Sequence, residues 1–146
     1  MTDGPVLTAE RSAELIDSIL ERAGDALGDI TAPVMARYYA AMPKAIERFE
    51  FHQPVRREKL EGEMVEQALY CLMRWHSDRS EIEIILSTTV PHHLFALDIP
   101  LALFTGMMDE VCETVAETIP ESETDELRCW QDMQRDIRLL MEDSVL

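Results

Sequence analysis

Along most of the chain apolar residues recur every three or four positions and polar residues fill the intervals, the period of an amphipathic helix. Thr8 is placed to cap a first helix, in which Leu15, Ile16, Ile19, Leu20, Ala23 and Leu27 follow at helical spacing until Gly28 ends it. Thr31 is read as the cap of a second helix with Pro33 in its first turn, running to about Ala41. Pro43 opens a short helical turn, KAIERF, ending at Phe49. Pro54 opens a long helix with Leu60, Met64, Gln67 or Ala68, Cys71 and Trp75 on one stripe. Ser80 caps a further piece, EIEIILSTT, and Pro91 starts the short segment HHLFAL. Pro100 begins a helix carrying Leu103, Met107, Met108, Val111, Cys112, Val115 and Ile119. After Pro120, Ser122 or Thr124 caps the last helix, whose stripe is Leu127, Trp130, Met133, Ile137 and Leu140 or Met141.

Val and Ile do not alternate with polar residues over any long run. Ile82, Ile84, Ile85 and Leu86 would suit a strand by composition alone, but a lone strand has no partner. The pattern therefore predicts an all-α protein of six or seven unequal helices, unlike the even up-down order of a four-helix bundle.

Composition narrows the picture. A chain of 146 residues suits one domain, residues 1–146, with residues 1–7 expected to be a flexible N-terminal segment. That length can bury a core without disulfide or metal staples. With 13 Lys and Arg against 29 Asp and Glu, the formal charge is -16, which disfavours nucleic acid and anionic membrane surfaces as partners. Residues 1–10 (MTDGPVLTAE) lack the basic start and apolar run of a secretory leader, and the most apolar stretch, residues 94–108, is too short to span a bilayer. Cys71, Cys112 and Cys129 form no CxxC pair and sit among apolar helical neighbours, so they read as small buried hydrophobes. A cytoplasmic location is expected.

Chemistry concentrates around two histidines. Residues 93–104 read HLFALDIPLALF: Ile99 lies six residues after His93, Pro100 follows, and Phe104 lies eleven after His93. Residues 38–49 read YYAAMPKAIERF, an aromatic-rich helix end, a proline, and a phenylalanine six residues after it. Residues 129–141, CWQDMQRDIRLLM, place a tryptophan near the start of the final helix. In order and separation these three stretches resemble the globin family, in particular a single-domain bacterial-type globin, over residues 8–143.

The resemblance implies a globin-like fold of six to eight helices around a haem pocket. It implies haem as cofactor, a diatomic gas (oxygen or nitric oxide) as ligand, and His93 as the iron ligand. A ligating imidazole needs its other ring nitrogen on an acceptor such as a backbone carbonyl. Adjacent helical residues point about 100° apart, so only one of His92 and His93 can face the iron, and the spacing to Ile99 favours His93. Zinc is not expected, because helical zinc ligands stand at i and i+4. Phe49 would stack on the porphyrin, and Leu60, Met64, Phe95, Leu97, Ile99, Phe104 and Met108 would supply apolar walls. Trp130, His52 and His76 are read as core, solvated and solvated.

The distal side stays open at this level. With a short turn after Phe49, Leu60 takes the buried distal-wall place and Arg56 the polar place; a shorter turn brings in Gln53, a longer one Met64. Tyr39, Tyr38 or Met35 would point in from the second helix, where a hydroxyl or a guanidinium stabilises a partly negative ligand. Arg48, Arg56, Arg57 and Lys59 either meet the propionates or pair along the helix with Glu58, Glu61 and Glu63. No GxSxG, GxGxxG or phosphate-binding loop is present. Nitric oxide dioxygenation would need electrons from a separate reductase. The alternative is a haem-free globin-like sensor or interaction module.

Overall fold

The computed structural model describes residues 7–52 and 55–146. Among them lie seven α-helices and one π-helix: α1 Ala9–Leu27, α2 Thr31–Ala41, α3 Ala45–His52, α4 Arg57–Arg74, α5 Arg79–Pro91, the π-helix His92–Ala96, α6 Leu101–Ala116 and α7 Thr124–Asp143. The chain is all-α, and the Ile-rich run from Ile82 to Leu86 is helical. No helix among the described residues is long and apolar enough to cross a membrane.

The ends of the helices follow local chemistry. Thr8 accepts a hydrogen bond from the Arg11 amide at 3.0 Å, the expected N-cap. Gly28 stops α1 at φ 65°, a left-handed conformation that glycine adopts without a Cβ clash, and its amide donates back to the Gly24 carbonyl. Three expected caps are displaced by one or two residues. Thr31 is the first residue of α2 rather than its cap, because the Asp29 carboxylate already accepts from its amide at 2.9 Å. Ser80 lies inside α5, which follows Asp78. Thr124 lies inside α7, which follows Glu123. Helix α3 continues past Phe49 to His52. The expected opening of α4 at Pro54, the alternative at Gln53 and most of the N-terminal segment fall outside the described residues, as does the His52 side chain.

Packing fills one end of the molecule densely. Helix α6 touches α1, α2, α4 and α7, while α7 also packs on α1 and α5. Ile16, Ile19, Val111, Cys112, Val115, Trp130, Met133 and Ile137 are buried there. Each aliphatic side chain of this kind contributes about 1.5–3 kcal/mol on burial. Trp130 donates its indole N–H to the Cys112 carbonyl at 3.0 Å, so the ring enters the core with its one polar atom satisfied. The cross-link from α1 to α7 is bidentate: Arg22 donates to both carboxylate oxygens of buried Glu126, at 2.6 and 3.0 Å. Cys71, Cys112 and Cys129 are free and buried, as their apolar settings predict. Gly106 leaves room on α6 for the flexible Met42 side chain, whose terminal carbon would stand 2.6 Å from a Cβ there.

Candidate functional site

The other end of the molecule is organised around a break in helix geometry. Pro91 closes α5 instead of opening a new helix, its φ and ψ of -61° and -36° continuing the helical path. Proline has no amide to donate, and the His92 amide behind it is shared between the Thr88 and Thr89 carbonyls. The chain then widens into the π-helix, with the Leu97 amide reaching five residues back to the His92 carbonyl. π-turns of this kind gather at functional sites. No residue of the π-helix is fully buried. The turn out of it passes through Asp98 at φ 55°, a left-handed conformation that aspartate tolerates, and delivers Ile99 and Pro100 to the start of α6.

This geometry orients His93. Its Nδ1 lies 2.8 Å from the Thr89 carbonyl, one helical turn earlier. A carbonyl only accepts, so Nδ1 carries a proton, which in the neutral tautomer leaves the lone pair at Nε2. The Phe104 ring stands edge-on to the imidazole, with centroids 5.0 Å apart. His92, its ring nearly perpendicular at 6.1 Å, is exposed, so the two neighbours do diverge.

His93 is shared by two cavities. The outer one encloses about 130 Å³ and extends to about 610 Å³ of free space with its mouth. Its walls include Phe49 from α3, Leu60 and Met64 from α4, Leu97 and Ile99 from the turn, and Phe104 from α6. The inner one encloses about 50 Å³ between α4, α5, α6 and α7, with Cys71, Leu86, Met108 and Met141 among its walls. Met64, His93, Phe104 and Met107 border both.

Six of the eight residues singled out in the sequence therefore converge: His93, Phe49, Leu60, Phe104, Ile99 and Leu97. Arg56 and Tyr39 do not reach the cavity. Arg56 is exposed at the foot of α4, whose first turn points it to water. The Tyr39 hydroxyl instead donates to buried Glu61 at 2.6 Å, and its ring meets the edge of Phe49. That phenol is held well above its ordinary titration range by burial and by the Glu61 carboxylate. Met35 is buried away from the cavity walls. Tyr38 lines the cavity, but its hydroxyl donates to the Leu103 carbonyl at 2.6 Å. Phe95, expected in the wall, is 73% exposed on the outside of the π-helix.

Of the basic cluster, Arg48 alone stands among the cavity walls, 3.7 Å from Asp98. Arg57 pairs with Glu50 and Glu61, and Lys59 with Glu63. His76, expected in water, is half-buried with Nε2 4.0 Å from Cys129 Sγ, and desolvation lowers its pKa. Leu103, Met107 and the Thr89 carbonyl were not anticipated. Helical spacing could have found them: Thr89 lies four residues before His93, and Met107 three after Phe104.

The donor chemistry suits an iron porphyrin. One imidazole is held through Nδ1, the walls are largely apolar, and the Arg48 guanidinium is among the lining groups. A macrocycle would extend beyond the enclosed 130 Å³ into the mouth, and into the inner cavity if the shared side chains of Met64, Phe104 and Met107 part. Among the described residues no cluster of three or more His, Cys, Asp or Glu could hold a bare metal ion. No family model, no curated protein and no solved structure matches this chain.

Proposed function

We propose that this chain is a globin-like haem protein that binds a diatomic gas at an iron held by His93. The single observation carrying this reading is the His93 ring itself: Nδ1 is committed to the Thr89 carbonyl at 2.8 Å while the ring borders an apolar cavity. Any part-buried imidazole needs a partner for Nδ1; the cavity beside the ring is what speaks for a ligand, and in that role the donated hydrogen bond fixes the tautomer and raises the basicity of the other nitrogen.

Bound iron protoporphyrin would supply an iron atom with a coordination position for the gas. The chain's own residues do the rest. Phe49 and Phe104 offer ring faces and edges to a flat aromatic guest. Leu60, Met64 and Leu97 exclude water from the apolar interior. Arg48, in the cavity lining, would pair with a propionate. Buried Glu61, tied to Tyr39, fixes the rotation of α4, so that Leu60 and Met64, one turn apart, face the cavity.

A second reading, a haem-free module, is favoured by the small enclosed volume of about 130 Å³, which suits a small apolar ligand. Haemin titration separates the two. The haem reading expects an intense Soret band that saturates at one equivalent. A spectrum that remains that of free haemin throughout would leave only the second reading.

A further inference from the structure

Helix α4 is a wall with two lined faces. Met64, Gln67, Ala68 and Cys71 border the inner cavity beside His93, whereas Glu66, Leu69, Tyr70 and Met73 border an open groove. At about 100° per residue the two sets stand on opposite faces of the helix. The groove holds about 480 Å³, and α1 is its second wall through Leu20, Ala23 and Gly24. Buried Ile30 and Val115 close its floor. Met73 is 45% exposed and Leu27, one turn beyond Ala23, is 42% exposed, so apolar surface continues outward from the groove. Gly24 lies inside α1, where glycine weakens a helix relative to alanine. Neither sterics nor backbone conformation requires it: a Cβ there would meet no atom within 4 Å, and its φ is not left-handed. The missing side chain widens the groove. Its lining also carries two exposed carboxylates, Glu66 and Asp29, which pair with no cation among the described residues. Neighbouring cations are held elsewhere, Arg22 by Glu126 and Arg74 by Asp78 and Glu81.

We propose that this groove seats the apolar face of a basic amphipathic helix from a partner protein, with Lys or Arg side chains on Glu66 and Asp29. A trough between two helices receives the side-chain ridge of a third, through apolar anchors one turn apart. Charge selects the partner. A second copy of this chain would set the same carboxylates against themselves at a net charge of -16 apiece, and an anionic lipid surface meets the same repulsion. The docked helix bears on the outer face of α4, whose other face walls the cavity beside His93. The site goes beyond the haem reading and stands whether or not that cavity holds haem.

The test follows the fluorescence anisotropy of a labelled synthetic helix of Leu and Lys, with Leu at i, i+3, i+4 and i+7, added to the full chain at about 0.15 M salt. A scrambled peptide of the same composition and a Leu–Glu helix with the same stripe are the references. The wild type is expected to bind the striped basic helix about tenfold more tightly than either reference. Gly24→Leu, which fills the groove from a position with open space, is expected to lose about tenfold. Met73→Gln, at an exposed position of the groove, lowers affinity in the same direction and replaces G24L should that variant misfold. Glu66→Lys weakens binding more than Glu83→Lys, the same charge change on exposed α5 surface outside the groove. Equal binding of the striped and scrambled peptides, equal losses in E66K and E83K, or full affinity in both G24L and M73Q would trace the attraction to overall charge and overturn the site. Tight binding of the Leu–Glu helix overturns the basic partner. A peptide-free dimer that G24L dissociates in sedimentation overturns it in favour of a second copy.

Discussion

The two ends of this molecule are built to opposite rules. Where α1, α6 and α7 meet, side chains are fully buried, the one indole N–H finds a carbonyl, and a bidentate Arg22–Glu126 pair ties the first helix to the last. Where α3, α4 and the π-helix meet, the helix ladder is interrupted, the π-helix buries no residue completely, and two cavities share one imidazole. Voids and irregular backbone cost stability, and close-packed interiors rarely hold them without a use. The contrast teaches that the filled end carries the fold and leaves the other end free to stay incompletely packed.

Truncation of one aromatic at each end gives the sharpest comparison. Trp130→Ala removes a fully buried ring and is expected to cost about 3–5 kcal/mol in urea unfolding of the haem-free protein. Phe104→Ala removes a half-buried ring from between existing cavities and is expected to cost about 2 kcal/mol, near the transfer contribution alone. Equal costs would erase the distinction between the two ends.

The cysteines sharpen it further, with a smaller effect. Burial pushes the Cys71 thiol up to about 11 and that of Cys112 higher still. A thiol whose pKa is raised on folding adds stability that is complete below its unfolded value of about 9 and fades as pH rises through its native value. Thermal stability is therefore expected to fall between about pH 9 and 11 and to be insensitive to the thiols at neutral pH. Cys71 borders the inner cavity, whereas Cys112 sits in the filled core. Native protein treated with a small alkylating reagent at alkaline pH should accordingly lose Cys71 before Cys112 when cleavage fragments are weighed. The reverse order would mean that the cavity end is no more open than the core.

The same divide separates what could be read in the sequence from what could not. Helix period and punctuation place all seven α-helices, and the Thr8 and Gly28 boundaries follow from side-chain chemistry alone. The cap at Thr31 is shifted because the Asp29 carboxylate accepts from its amide, whereas α5 and α7 start after Asp78 and Glu123 with no side-chain cap bond. His93, Phe49 and Leu60 are legible as a set only through the globin resemblance, and all three line the outer cavity. The polar end of the site is not. Tyr39 and Tyr38 are adjacent, and their hydroxyls turn to Glu61 and to Leu103, choices made by the packing of α2 on α4 and α6. Arg56 needs the exact length of the α3–α4 connection, which periodicity does not supply. The π-helix is hidden for a similar reason: a proline in a helical pattern reads as a boundary, and only the shared Thr88 and Thr89 carbonyls show that the chain runs through it.

The most direct test of the central claim, that His93 rather than its neighbour holds iron, is the absorption spectrum of wild type, His93→Ala and His92→Ala, each with one equivalent of haemin. The account predicts that His93→Ala abolishes or shifts the Soret band and that His92→Ala leaves it in place, with unchanged far-ultraviolet circular dichroism in all three. A band that survives the loss of His93 and disappears with His92 would contradict it.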